Sequence, residues 1–183
     1  MPVKNQLTEW YFKSVYSNVI NRTKFLAVMV RVVATGTFDI IHPGHITFLR
    51  EAKKLGDELI VIVAREKNVR HKPKPIIPEE QRRKVVEGIK YVDKAILGDE
   101  NDMFRPIEEL KPDIIALGYD QHFDENWLQK ELEKRGINAR VVRIKAKEEC
   151  ELCSSKKIIK RIAELAKKRV EEFEREKAAL KVR

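Results

Sequence analysis

Five short β-branched runs alternate with helix-patterned stretches along this chain, and that alternation limits its fold more than any other feature. The runs are "VRVVAT" (30–35), "ELIVIVA" (58–64), "KAIL" (94–97), "DIIALG" (113–118) and "ARVVRI" (139–144). Each is nearly continuous in apolar character. A strand of that kind is buried on both faces, the condition of a parallel sheet covered by helices on either side. Helical patterns over 44–55, 78–89, 103–110 and 125–135 supply the covering layers. Pro78 suits a first helical turn, where its missing N–H is not needed, and Gly136 suits a stop. The predicted fold is a doubly wound α/β sandwich, whose ligands bind beyond the carboxyl ends of the strands.

Two segments fall outside that alternation. Leu7, Tyr11, Val15 and Val19 recur at helical spacing in residues 1–28. An added amphipathic helix is one reading of that segment; a biological start at Met29, leaving the extension dispensable, is the other. From Ser155 onward, Ile158, Ile159, Ile162, Leu165, Ala166 and Phe173 mark an apolar stripe on a long helix. Such a stripe packs on its own domain or on a second subunit.

The chain has 183 residues, enough for one domain with a proper core. Its net charge is +9, and the segment from Ser154 to the end contributes six of those charges, with eleven Lys/Arg against five Glu. A second basic cluster, "REKNVRHKPKP", covers 65–75. Basic surface attracts nucleic acid, anionic membrane or phosphorylated small molecules. No RNA- or DNA-reading motif accompanies it, so no polynucleotide partner is expected. No run approaches the ~20 apolar residues of a membrane span, and the apolar run over 25–30 is too short for a secretory signal. A cytoplasmic location is expected. Cys150 and Cys153 form a lone C-x-x-C. Two reduced thiols are the plain expectation; a redox pair also fits the spacing, while a structural zinc lacks two further ligands.

The chemistry concentrates in "TGTFDIIHPGH" (35–45). Gly36 allows a tight turn in which backbone N–H groups face a ligand. The helix that follows starts near Pro43 and Gly44, and its N-terminal N–H groups and positive dipole end suit an anion. His42 and His45, three residues apart, share one face of that first turn. Gly44 removes the side chain that would keep a phosphate from the backbone. Two imidazoles so placed donate hydrogen bonds to a triphosphate and to negative charge that grows during transfer. The competing readings are a helix start with two incidental surface histidines, and a zinc pair that lacks the spacing and Glu of H-E-x-x-H.

"GTFDIIHPGH" resembles the signature of the nucleotidyltransferase superfamily with the HxGH motif, which includes cytidylyltransferases and adenylyltransferases. "AKKLGDELIVIVARE", "PEEQRRKVVEGIKYVDKAI" and "LKPDIIALGYDQ" are similar to successive segments of its cytidylyltransferase-like group. "CSSKKII" resembles the second motif, often written ISSTKI. The combination looks most like the archaeal-type FAD synthases, and the resemblance covers residues 31–161. It implies a Rossmann-like nucleotidyltransferase domain over 29–160, continued by a long basic helix over 161–183. The implied reaction transfers AMP from ATP to FMN, giving FAD and pyrophosphate.

Carried over residue by residue, the resemblance implies that Thr37 and Phe38 present backbone groups to the nucleotide. His42, Pro43, Gly44 and His45 would cradle its phosphates, with His42 and His45 catalytic. Asp120 would approach the ribose or base. Ser154, Ser155 and Lys157 would hold the β- and γ-phosphates, and Lys157 would neutralise departing pyrophosphate. The chain departs from the pattern at Lys156 and Cys153, which replace the motif's Thr and Ile. It departs again at Glu149 and Cys150, where cytidylyltransferases carry Arg-Thr; another basic residue, such as Lys147, would take over. Arg82 matches the family's helix Arg, for which an ion pair with a nearby Glu and a substrate role both stand. A divalent cation, Mg²⁺, is expected on the triphosphate, and the apolar stripe with the family habit suggests a homodimer. Two alternatives remain at this point: a CTP-dependent cytidylyltransferase acting on glycerol 3-phosphate or a similar alcohol phosphate, and a non-catalytic nucleotide- or RNA-binding protein.

Overall fold

The structure is a computed structural model that describes residues 29–70 and 73–181. The helix expected from Leu7, Tyr11, Val15 and Val19 lies outside the described residues. Five strands form one sheet: β1 (Arg31–Gly36), β2 (Glu58–Val63), β3 (Lys94–Leu97), β4 (Ile114–Leu117) and β5 (Arg140–Arg143). Their order is β3-β2-β1-β4-β5, and every neighbouring pair is parallel. The chain starts in the middle, winds outward to β3, then crosses back to β4 on the other side of β1. That reversal opens a crevice beyond the carboxyl ends of β1 and β4.

The helices are α1 (Pro43–Lys53), α2 (Glu79–Glu87), α3 (Arg105–Leu110), α4 (Glu125–Lys134) and α5 (Ser155–Lys181). Strand side chains alternate between two cores. Val32 and Ala34 join Leu49, Ala52 and Val86 from α1 and α2, whereas Val33 joins Ile107, Leu128 and Leu132 from α3 and α4. Every residue of β4 is buried, as a strand between two helical layers must be. The helix stop expected at Gly136 is present, with φ of 69° and its N–H donating to Glu133 O.

One local device sets the register at the amino edge of the sheet. An Asp stands just before β2, β3 and β4, and each accepts from the first N–H groups of a neighbouring strand. Asp57 receives Val30 N, Asp93 receives Leu59 N, and Asp113 receives Arg31 N, at 2.9, 2.6 and 2.7 Å. These donors would otherwise lack a ladder partner.

Of the two covers expected for the stripe of the last helix, its own domain and a second subunit, the described residues do not supply the first. Among the described residues its apolar stripe finds no cover: every residue over 159–173 is exposed, Ile162 by 56% and Phe173 by 62%. Both faces of the sheet are occupied by α1–α4. No described helix is long and apolar enough to cross a membrane.

Candidate functional site

β1 ends at Gly36, and the chain turns over the carboxyl edge of the sheet into α1. The turn's left-handed residue is Phe38, with φ of 51°, and not a glycine. Gly36 is needed for another reason than the tight turn expected of it. A Cβ there would stand 2.6 Å from the Phe38 ring, so only glycine lets that ring fold back onto the strand. Phe38 is buried and holds His45 at 5.1 Å between ring centroids. His45 stacks in turn on His42 at 3.7 Å. The two imidazoles are therefore a packed pair fixed by the core.

His42 occupies the N-cap position of α1 in extended conformation, and Pro43 follows in the first turn. The His42 side chain does not cap the helix, so the first-turn N–H groups keep their free positive end for a ligand. Burial holds the His42 pKa below the ordinary imidazole value, against the opposing pull of Asp120. The neutral imidazole thus stands ready to gain charge when an anion arrives.

The second motif arrives from 115 residues away. The Ser155 hydroxyl donates to Ile40 O at 3.2 Å, tying the start of α5 to the loop before α1. The Ser154 hydroxyl accepts from Lys157 N at 3.2 Å, as an N-cap does. A Cβ on Gly44 would lie 3.3 Å from Cys153 O. Gly44 therefore lets the two helix N-termini approach, in addition to baring the backbone. Beside them opens a cleft of about 650 Å³ lined by Lys147, Ser154 and Lys157, with Tyr119 and Glu149. A second depression, of about 490 Å³, is lined by Ile41, His42, Pro43, Ile46 and Arg50. Glu148 borders both, its carboxylate accepting from Thr47 Oγ1 at 2.6 Å.

The structure brings His42, Pro43, Gly44, His45, Asp120, Lys147, Ser154 and Lys157 to this one edge. Ser155 turns its hydroxyl inward to Ile40 O, and the Thr37 carbonyl is taken by Arg82. Arg82 feels the charges of Glu66, Asp39 and Glu79, while its hydrogen bonds go to backbone carbonyls. It is buried, and it donates to Ile77 O, Thr37 O and Ala64 O at 2.8, 2.5 and 2.9 Å. It ties the ends of β1 and β2 to the loop before α2. Asp39 reinforces the same tie, accepting from Ile76 N and Ile77 N.

The reduced thiols expected at Cys150 and Cys153 are also corrected, since the two cysteines are joined in a disulfide. The intervening turn brings their Cα atoms to 5.3 Å, within bridging range. Both cysteines line the larger cleft. Among the described residues no three His, Cys, Asp or Glu side chains gather into a set that could hold a metal ion. Sequence reasoning missed Tyr119, which lines the cleft and is 46% exposed. Its position inside the Gly-x-Asp turn was the available signal. Burial, then Asp120, raises its phenolic pKa.

A doubly wound parallel sheet, a paired imidazole at one helix start and a Ser-Ser-x-Lys at a second helix start beside it are the parts of a nucleotidyltransferase. The cytidylyltransferase-like family model matches residues 33–161. A FAD synthase of Archaeoglobus profundus is 80% identical over 146 residues, covering 80% of this chain and 94% of the relative. A FAD synthase of Ferroglobus placidus is 72% identical over 152 residues, covering 83% of this chain and all of the relative. A crystal structure from Thermoplasma volcanium, described as a lipopolysaccharide core biosynthesis protein, is 52% identical with a TM-score of 0.63, over 66% of this chain and 99% of that one. This chain belongs to the cytidylyltransferase-like family, among its FAD synthases.

Proposed function

We propose that the protein transfers AMP from ATP to FMN, releasing pyrophosphate and giving FAD. The observation that carries the site assignment is the Ser155–Ile40 tie, which sets the start of α5 against the loop leading into α1. Two helix N-termini, two imidazoles and two lysines then face one polyanion. An FMN phosphate oxygen attacks the α-phosphorus, and the bond from that phosphorus to the β-bridging oxygen breaks in line. Charge grows on the α-phosphate oxygens, where His42 and His45 donate N–H bonds. Lys157 and the α5 N-terminus receive the charge of departing pyrophosphate, with Lys147 on the same cleft wall. No protein nucleophile is needed, because positioning and charge stabilisation supply most of the catalysis in such transfers.

Among the described residues no set of side chains forms a metal cage. The phosphate oxygens of ATP, hard ligands of the right kind, would hold a divalent cation such as Mg²⁺, which would supply charge neutralisation there. The absence of the Arg-Thr pair at Glu149 and Cys150, the latter consumed in the disulfide, supports ATP over CTP as donor. We place the enzyme in the cytoplasm, where both nucleotides are found, and take the uncovered stripe of α5 as the face on which a second copy packs. The test is incubation with each nucleoside triphosphate and each acceptor, following flavin absorbance and pyrophosphate. FAD must appear with ATP plus FMN and with no other pairing. His42→Ala and His45→Ala should each lower kcat by roughly 10²-fold, far more than they weaken ATP binding. Near-normal turnover in both variants overturns the mechanism.

A further inference from the structure

The cleft beside the two helix starts has to hold more than phosphate. A nucleotide bound there runs from its α-phosphorus through one ribose to a flat base, and that base needs a face to rest on. We propose that the Tyr119 ring is that face: adenine stacks on it, and the ring gives the site a preference for a purine donor. This rests on the reading of the protein as an FMN adenylyltransferase and deepens it at the donor.

The position of the ring follows from the fold. Tyr119 and Asp120 are the central residues of a turn closed by Gln121 N, which donates to Gly118 O at 3.2 Å directly after β4. Ile144 N donates to Leu117 O, so the chain leaving β5 passes beside this turn and carries Lys147 and Glu149 to the same cleft. Asp120 is near enough to pull on the charge of His42, so the turn borders the place where the α-phosphate is held. Lys157 and Ser154 mark the other end of the cleft's ligand, at the start of α5. Among the described residues lining this cleft, Tyr119 alone is aromatic. Its ring is nearly half exposed, although a phenol gains much by being covered on its flat face.

The turn is also set before any ligand arrives. The Arg143 guanidinium donates to Gly118 O, Gln121 O and Phe123 O, gathering the loop around one side chain. Gln121 Nε2 donates to Thr35 O at 2.6 Å, fastening the loop to the end of β1. Further on, His122 stacks on Phe123 at 4.5 Å and Phe123 on Trp127 at 6.3 Å, while Asp124 caps α4 by accepting Trp127 N at 2.7 Å. A face that needs no ordering on binding loses little affinity to entropy. Every base has a flat face to stack, and preference among bases comes from the strength of the stack. The fused rings of a purine cover more of a phenol than a pyrimidine does, so such a face favours adenine over cytosine.

The test measures binding of ATP, CTP and inorganic tripolyphosphate to the full chain by calorimetry, and of FMN by quenching of its fluorescence. Tyr119→Ala should weaken ATP by about tenfold and CTP by about threefold, and leave tripolyphosphate and FMN within about twofold of the parent. Tyr119→Phe, which keeps the ring and loses the hydroxyl, should restore ATP binding. Unchanged ATP affinity in Tyr119→Ala overturns the proposal. Equal losses for ATP and tripolyphosphate overturn it too, because Tyr119 then serves the phosphates or the fold. Equal losses for ATP and CTP overturn the purine preference, and a loss for FMN alone gives the ring to the flavin instead. The parent chain separates this failure from that of the wider reading: if it makes no FAD from ATP and FMN, both fall, and if it makes FAD while Tyr119→Ala binds ATP normally, only the role of Tyr119 falls.

Discussion

Gly44→Ala separates the two things a residue at a helix start can do. A Cβ at this position would stand 3.1 Å from His42 Nδ1, 3.2 Å from His42 Cε1 and 3.3 Å from Cys153 O. Relaxed contacts to carbon lie at about 3.5–4.0 Å, so each neighbour must give by several tenths of an ångström. His42 has little room, since His45 already stacks on it at 3.7 Å. Cys153 O is held by the α5 start, which the Ser155–Ile40 hydrogen bond fixes. A displacement of about 1 Å at a reacting centre costs roughly 10²-fold in rate, so a shift of several tenths should cost about tenfold in kcat. Stability should hardly move. Alanine is favoured over glycine in a helix by up to about 1 kcal/mol, and an off-rotamer His42 costs roughly the same. The net change corresponds to a Tm within about 3 °C of the parent. FAD formation under saturating substrates, beside a thermal melt, checks both halves. A kcat within twofold of the parent refutes the claim that Gly44 sets the spacing of the site. A fall in Tm of about 8 °C or more, accompanying the lost rate, shows disruption of the fold instead.

Two further outcomes follow from buried groups. Arg82→Met should lower Tm by roughly 6–12 °C, because three buried carbonyls lose their donor at about 1 kcal/mol or more each; a shift below about 2 °C shows that water or backbone relaxation replaces the guanidinium. Because burial depresses the His42 pKa in the free protein and a bound polyphosphate raises it, ATP binding should take up a proton. Affinity should then strengthen as pH falls from the ordinary imidazole range toward the depressed value, and level off below it. Calorimetry in buffers of different ionisation enthalpy measures the uptake, and His42→Ala, which retains the titration of ATP itself, should show less; equal uptake in both refutes the assignment.

The order and kind of the elements were readable from the chain, and for a local reason. A parallel strand buried on both faces is a run of Val and Ile, and a helix start is a Pro or a Ser beside the right neighbours, so each is written within a few residues. All five strand runs and all the helical patterns over the described residues appear, shifted by a residue or two at their ends. The HxGH and Ser-Ser-x-Lys motifs were equally plain, because each is contiguous. What was not local was not readable. Only the crossover from β3 to β4 sets α5 against α1 and makes one site of Gly44 and Cys153. Only packing decides that Arg82 serves three carbonyls, that Gly36 exists to receive the Phe38 ring, and that the stripe of α5 is left exposed by the other described residues. His122, Phe123 and Trp127 have no periodic signature at all; their stacking comes from Arg143 and Asp124 folding the loop around them. Periodicity is a property of neighbours in the chain, whereas a site is a property of neighbours in space, and these are joined only when loop closure is offset by burial across the whole sheet.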